Sequence, residues 1–312
     1  MAETHLEVYR RFEGTLHEHR LRAWPIWTTG LRTALKQRRA LLLLYLPPVI
    51  ATVIFSFVVY LGFMASEQLE RESPFEGLGE GDIQERLASG VVMGVVSGGL
   101  KMLEVTRQII EFNKAMGFFA LLAVAWFGSG LFCEDRKAGA HQLYFARPIT
   151  RLDYFLGKFG VAAFFGLCAM LVPPLVICLV ASISSPEWAF LKEEWDVIPR
   201  AIALAFLWTT VVTLLVLLAS SLAARRSFAL IGVFGFFMLS GAMSQALGHL
   251  VSRRFFALSL GDDLNTLGSQ ILGRSDAGLP VSPGEAWVAV SVFVAFALVV
   301  IAARLRRLEV VA

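Results

Sequence analysis

Long apolar stretches alternate with short polar ones along the chain. Six runs contain no Asp, Glu, Lys or Arg: 41–63, 115–133, 159–183, 201–224, 228–247 and 286–303. About 18 or more apolar residues, rising about 1.5 Å each, cross roughly 30 Å of hydrocarbon. Each run therefore predicts a transmembrane helix, spans one to six. A charge at a helix centre costs about 2.5–3.5 kcal/mol on insertion, so this exclusion of charge is what a bilayer demands. A further apolar stretch, 87–100, is Gly-rich and too short to span comfortably, and is expected outside the bilayer or dipping into its surface. The predicted fold is an all-α polytopic membrane protein, its spans joined by segments 64–114, 134–158, 184–200, 225–227 and 248–285, between a polar region 1–40 and a tail 304–312.

The polar segments sort by charge. Arg10, Arg11, Arg20, Arg22, Arg32, Lys36, Arg38 and Arg39 precede span one, and with six spans the same side receives 134–158, Arg225, Arg226, Arg304, Arg306 and Arg307. The other side receives the acidic residues of 64–114, then Glu187, Glu193, Glu194, Asp196, Asp262, Asp263 and Asp276. Under the positive-inside rule both termini are cytoplasmic. The net charge of +3 conceals this asymmetry and gives no reason to expect nucleic acid. The polar N-terminal region does not read as a cleavable leader, so span one is expected to act as the targeting signal.

Residues 21–39 predict an amphipathic helix with Trp24, Trp27, Leu31 and Leu35 on one face and Pro25 in its first turn. Trp and Arg on one short helix suit the headgroup layer, so it is expected flat on the cytoplasmic surface. Pro47-Pro48 and Pro173-Pro174 are expected to kink spans one and three. Gly232, Gly235, Gly241 and Gly248, with Ser240 and Ser244, give span five a small-residue character suited to close helix packing within or between subunits. Cys133, Cys168 and Cys178 all fall in spans, which argues against a disulfide framework or a cysteine metal site.

The most tightly punctuated polar stretch is 134–158. Glu134, Asp135, Arg136 and Lys137 leave span two as four consecutive charges. Residues 138–145 have helix-compatible composition, broken only by Gly139. Arg147 precedes Pro148 and is biased to extended backbone. Thr150 and Asp153 match a capping box, T-x-x-D. The pattern predicts a short surface helix, a proline break and a freshly capped span three, a rigid element on which a partner could push.

Candidate chemistry is nearly absent. Gly157-Lys158 lacks the upstream glycine of a phosphate-cradling loop, and no H-E-x-x-H occurs. Leu239-Ser240-Gly241 lies inside span five with no nucleotide site nearby. The histidines are scattered, and no metal-ligand or nucleophile–base spacing stands out, so no catalytic or metal-binding residue is assigned. The spans also lack the ionisable groups that ion-coupled carriers keep there. If the chain moves something, the energy comes from elsewhere.

The 134–158 segment resembles the ABC-2 type permeases of ATP-binding-cassette transporters, which show E-x-x-x-G-x-x-x-x-L-x-x-R-P-[ILV]-[ST]-R-x-x-[YF]-x-x-G-K. Here Glu134, Gly139, Leu143, Arg147, Pro148, Ile149, Thr150, Arg151, Tyr154, Gly157 and Lys158 carry that pattern, with a slightly longer spacing from the glutamate to the glycine. The resemblance implies an ABC-2 (type V exporter-like) permease fold in a bacterial cytoplasmic (inner) membrane. It implies a second permease subunit, identical or homologous, and separately encoded cytoplasmic ATPases that bind ATP and Mg, so that this chain needs no cofactor of its own. An accessory periplasmic protein is a further implied partner. Glu134, Asp135, Arg136, Gly139, Leu143 and Tyr144 become the coupling helix, with Arg147, Pro148 and Arg151 fixing the joint to span three and Lys158 counted among the residues that couple to the partner ATPase. The rival reading is a non-transporting scaffold or signalling subunit that docks a soluble partner through the same loop.

Overall fold

The computed structural model describes residues 23–71, 105–140, 149–185, 188–274 and 281–309. Each charge-free run is helical over nearly all of its length. Among the described residues six helical stretches are long and apolar enough to cross a membrane: Arg38–Met64, Val105–Lys137, Arg151–Ser184, Val197–Leu222, Arg226–Leu250 and Pro283–Arg306. The described residues contain no strand. In chain order the helices are α1 (Trp24–Leu35), α2 (Arg38–Arg71), α3 (Val105–Gly128), α4 (Gly130–Lys137), α5 (Arg151–Met170), α6 (Val172–Ser184), α7 (Ala189–Glu193), α8 (Val197–Leu222), α9 (Arg226–Leu250), α10 (Leu260–Ile271) and α11 (Pro283–Glu309). Span two comprises α3 and α4, and span three comprises α5 and α6.

The helices outrun the apolar runs, because a charge ends an apolar run without ending a helix. Span two differs most. The sequence expectation was an external segment through residue 114, yet α3 begins at Val105. Its first turns are amphipathic: Val105, Ile109, Ile110 and Phe112 are buried. They pack with Val59 of span one and Ile177 and Ala181 of span three. Glu111 is exposed and pairs with Lys114 at 3.3 Å. The expected outer-face helices at 83–113 thus merge at their end into span two, while residues 72–104 lie outside the described residues. The proline pairs also part company. Helix α2 continues through Pro47 and Pro48. The third span breaks at Leu171, with Pro173 and Pro174 in the first turn of α6, where missing amide donors cost least.

Spans two and four are the most enclosed, with 61% and 67% of their apolar windows buried, and span three follows at 50%. Spans one, six and five fall to 28%, 22% and 17%. The packed interior is therefore spans two to four, and the others turn broad apolar faces outward. Close approach inside that core depends on missing side chains. A Cβ on Gly128 would sit 2.7 Å from Val216 Cγ1, and one on Gly166 2.7 Å from Thr209 Cγ2. Tyr45 ties span one to span three by donating its hydroxyl to the Phe165 carbonyl at 2.6 Å.

Between spans five and six, a 3-10 turn (Arg253–Leu258) and α10 fold back on the bundle. Phe256 fills the space left by Gly248, and Ser244 donates to the Phe256 carbonyl at 2.9 Å. Leu260, Leu264 and Leu267 bury one face of α10, and Asp263 is carried in with them at 2% exposure. Of the span-five glycines, Gly248 is used for packing within the chain. Among the described residues, a Cβ on Gly235 or Gly241 would meet nothing within 4 Å.

Candidate functional site

The basic residues of the 134–158 segment and its neighbours gather at one end of the bundle, and the site is the junction they build. Span two reaches this end through α4. A break at Ser129 leaves the first amides of α4 without helical acceptors. The Ser220 hydroxyl of α8 accepts from the N–H groups of Phe132 and Cys133, at 3.1 and 3.3 Å. Arg136 returns the favour at the other terminus, donating to the carbonyl of Ser221 at 2.9 Å and to that of Ala223. A cation there satisfies orphan carbonyls at the C-terminus of α8 and complements the helix dipole. Gly139, at φ 66°, then turns the chain off α4 in the left-handed conformation that glycine adopts without strain.

Span three re-enters through a capping box. Thr150 is extended, and its hydroxyl accepts from Asp153 N–H at 3.1 Å. Asp153 reaches back to accept from Thr150 N–H at 3.0 Å. One turn further, Tyr154 and Lys158 lie on one face at i, i+4. Both close on Asp135 of α4: Lys158 Nζ lies 2.6 Å from Asp135 Oδ2, and the Tyr154 hydroxyl donates to the same oxygen at 2.8 Å. The Lys158 side chain is only 8% exposed and that of Asp135 18%. An ammonium so enclosed requires a hydrogen-bonded counter-ion. The ends of spans two and three are thus pinned together on either side of the connecting segment.

Helix α1 lies across this junction. The Cβ that Gly157 lacks would fall 2.8 Å from Ile26 Cβ and 3.1 Å from the Ala23 carbonyl. Gly160 receives the Trp27 ring in the same way, and Gly30 receives Val161. The buried stripe of α1 is Ile26 and Ala34, with Trp27 and Leu31 half-buried beside it. Trp24 and Leu35 are exposed. The predicted apolar face is therefore split: part packs on span three, and part points away from the protein. A cavity of about 250 Å³ remains between α1 and the junction, where Thr29, Thr33 and Gln37 face Glu134, Asp135, Lys158 and Arg226. Its lining mixes hydroxyls, an amide and both signs of charge, which suits hydrogen bonding better than an apolar guest. Arg226 stacks 4.8 Å over the Trp126 ring and donates to the Trp126 carbonyl at 2.6 Å, and Trp126 Nε1 donates to Gln37 at 3.2 Å.

Of the residues singled out from sequence, Asp135, Arg136 and Lys158 serve the junction directly, and Gly139 ends its helix. Glu134 is exposed at the cavity. Arg151 opens span three away from that cavity, beside span six. Leu143, Tyr144, Arg147 and Pro148 lie outside the described residues. Sequence reasoning missed Tyr154 as a site residue, although its i, i+4 spacing to Lys158 was available. It also missed Ser220, Trp126, Gln37 and Arg226, whose roles depend on helices distant in the chain.

These features define a multi-pass all-α membrane protein with a built polar junction beneath its central spans. Residues 24–309 match the ABC-2 family transporter proteins, and the chain belongs to that family. It is accordingly a membrane permease of an ABC transporter. No curated protein matches the sequence.

Proposed function

We propose that this permease is the membrane-spanning subunit of an exporter, driven by a separately encoded cytoplasmic ATPase that docks on the 134–158 segment. The observation that carries this reading is the Asp135–Lys158–Tyr154 junction. It clamps the two helix ends from which the segment emerges, so force applied to the segment reaches spans two and three as a rigid unit. Spans two and four share the enclosed core, and Arg136 extends the linkage to the end of α8.

On this reading the basic end faces the cytoplasm of a bacterial inner membrane, with both termini there, as the charge asymmetry requires. Helix α1 lies along the headgroup layer, resting Ile26 and Trp27 on span three and turning Trp24 and Leu35 to lipid. ATP and magnesium belong to the partner, which supplies the energy, since the charge-free runs inside the spans offer none of the ionisable groups that ion-coupled carriers use. A second permease packs against the outward face of span five.

The test is isolation of the full chain from native membranes in mild detergent, followed by mass spectrometry of what accompanies it. A stoichiometric ATP-binding-cassette ATPase is expected, lost from the Arg147→Glu variant while that variant remains inserted. Retention of the ATPase by Arg147→Glu and by a chain with 140–146 scrambled would overturn the docking assignment. A different soluble partner in its place would move the protein to the scaffold reading.

A further inference from the structure

The cavity beneath α1 sits at the edge of the hydrocarbon. Glu134 directly follows the charge-free run 115–133, Lys158 directly precedes 159–183, and Arg226 lies just before 228–247. Gln37 stands between α1 and span one. Each of these residues lines the cavity, which therefore lies at headgroup depth.

Its polar groups are sorted by what they still offer. Asp135 and Lys158 engage each other in the wall. The Glu134 carboxyl folds back over Gly130, where a Cβ would fall 2.8 Å from Glu134 Cδ. Among the described residues that carboxylate has no hydrogen bond or ion pair. Arg226 gives one amino group to the Trp126 carbonyl and is paired with no carboxylate among the described residues. The Thr29 and Thr33 hydroxyls donate to carbonyls of their own helix, so toward the cavity they can only accept. Gln37 commits its oxygen to Trp126 Nε1, so its amide nitrogen is the group it can offer.

The donors thus gather at Trp126, where Gln37 and Arg226 meet. The acceptors lie beyond them: Thr33 and Thr29 about one and two turns back along α1, and Glu134 about two turns past Trp126 on span two. On the other side of Trp126 an apolar stripe descends into the hydrocarbon. Trp126, Leu122 and Phe118 share one face of span two at four-residue spacing, and Trp126 and Phe118 are exposed in a span otherwise well enclosed. The order from the hydrocarbon outward is apolar stripe, donors, acceptors. A phospholipid with an ethanolamine headgroup carries the complement in the same order: acyl chain, phosphate, ammonium. The cavity volume, about 250 Å³, falls below the roughly 300–1,000 Å³ of pockets for drug-sized ligands and suits a small headgroup whose chains stay outside.

We infer that this cavity holds the phosphoethanolamine headgroup of one phospholipid, its phosphate at Arg226 and Gln37, its ammonium at Glu134, Thr29 and Thr33, and an acyl chain along Trp126 and Phe118. Charge-assisted hydrogen bonds then reach both ends of the zwitterion. A choline headgroup does not satisfy the site, because full methylation removes the N–H groups that its acceptors need. The lipid bridges α1, span two and span five. The inference uses only this chain and the bilayer, and stands apart from which partner docks on the 134–158 segment.

The experiment is native mass spectrometry of the purified full chain titrated with phosphatidylethanolamine or with phosphatidylcholine of identical acyl chains. One phosphatidylethanolamine per chain should be retained, about tenfold tighter than phosphatidylcholine. Glu134→Gln, which keeps the side-chain shape, should lose that preference. Arg226→Gln should weaken both lipids, since both carry the phosphate. Equal retention of the two lipids by the unaltered chain overturns the inference without reference to any variant, and so does a preference that survives in Glu134→Gln. Thr33→Phe, which fills the cavity and keeps both charges, should lose binding, and full binding in that variant would remove the cavity as the site. Glycerophosphoethanolamine, the headgroup without chains, should not compete at equal concentration. Competition by it would make the ligand a soluble phosphate ester and sink the lipid assignment.

Discussion

Lys158 is an enclosed charge at the membrane edge, with the Asp135 carboxylate 2.6 Å from its Nζ. Removing Asp135 takes away the carboxylate that meets this ammonium beside Tyr154, and breaking a buried pair from one side costs several times what a surface pair is worth. Asp135→Ala should therefore lower stability by about 3 kcal/mol. Most of that should return in the charge-swapped Asp135→Lys/Lys158→Asp chain, as read by thermal unfolding in detergent. An Asp135→Ala chain that melts with the parent would show the pair to be ornamental. Asp263 makes the opposite case. It is 2% exposed, and among the described residues its Oδ1 has no hydrogen-bond partner. Burial, reinforced by the nearby Asp262 and Glu285 carboxylates, pushes its pKa up to about 8. An unfolded aspartate ionises near about 3.9. Between those values the folded chain holds a proton that the unfolded chain has released, so stability falls as pH rises through the window and levels off above it. Asp263→Asn removes this slope and should melt progressively higher than the parent from pH 5 to pH 8. Parallel pH profiles would count against a buried neutral carboxyl. At this scale the sequence exposed the charged residues but not their pairings. Arg136 read as a partner-facing cation, yet its guanidinium caps α8, whose C-terminus lies more than eighty residues along the chain.

The elements themselves were legible because the bilayer excludes charge so strongly that six uninterrupted runs could only be spans. Their ends were not, since the start of α3 at Val105 depends on which side of an amphipathic turn meets spans one and three. The two proline pairs make the same point. Each removes backbone donors, but whether a helix absorbs the loss or breaks is settled by its surroundings, and Pro47-Pro48 passes where Pro173-Pro174 does not. The capping box was legible because its whole geometry lies within four consecutive residues. Helix α1 shows the remaining difficulty: its period was clear, but the stripe that packs was fixed by Gly157 and Gly160 on another helix. This gives a prediction about the element. Gly157→Val places a branched side chain where a single carbon already lies 2.8 Å from Ile26. Overpacking of that kind costs about 1–3 kcal/mol, and it falls on the seating of α1 rather than on the spans. Trypsin should cut at the exposed Arg32 about fivefold faster or more, since cleavage follows the open population. Gly235→Val, at a site with open space, should leave that rate unchanged. Equal cleavage of the parent and Gly157→Val would mean that α1 does not rest on this glycine.

At the scale of the molecule, enclosure is unequal. Spans two, three and four satisfy one another, while span five keeps only 17% of its apolar window inside the protein. A helix so exposed is stable in lipid, where exposed apolar surface carries no hydrophobic penalty, so exposure alone does not identify a partner. The side chains it presents add more. Ile231, Phe236, Met238, Leu239 and Met243 are exposed around Gly235 and Gly241, whose missing side chains no described residue of the chain fills. Small residues let helix backbones approach, and close van der Waals contact is a main source of association between membrane helices. If the second permease of the proposed exporter packs here, Gly235→Leu and Gly241→Leu are informative for a specific reason. Among the described residues a Cβ at either position meets nothing within 4 Å, so these are the span-five sites with most room for a larger side chain. An unchanged melting temperature would then assign any change in association to contacts between molecules. The expected outcome is a shift from dimer to monomer in light scattering of the detergent-solubilised chain, with an unchanged melting temperature. ATPase stimulation in the reconstituted complex should fall with it, because rocking two permeases against each other requires both. A dimer that persists in both variants would place the subunit contact elsewhere, on the outward faces of span one or span six.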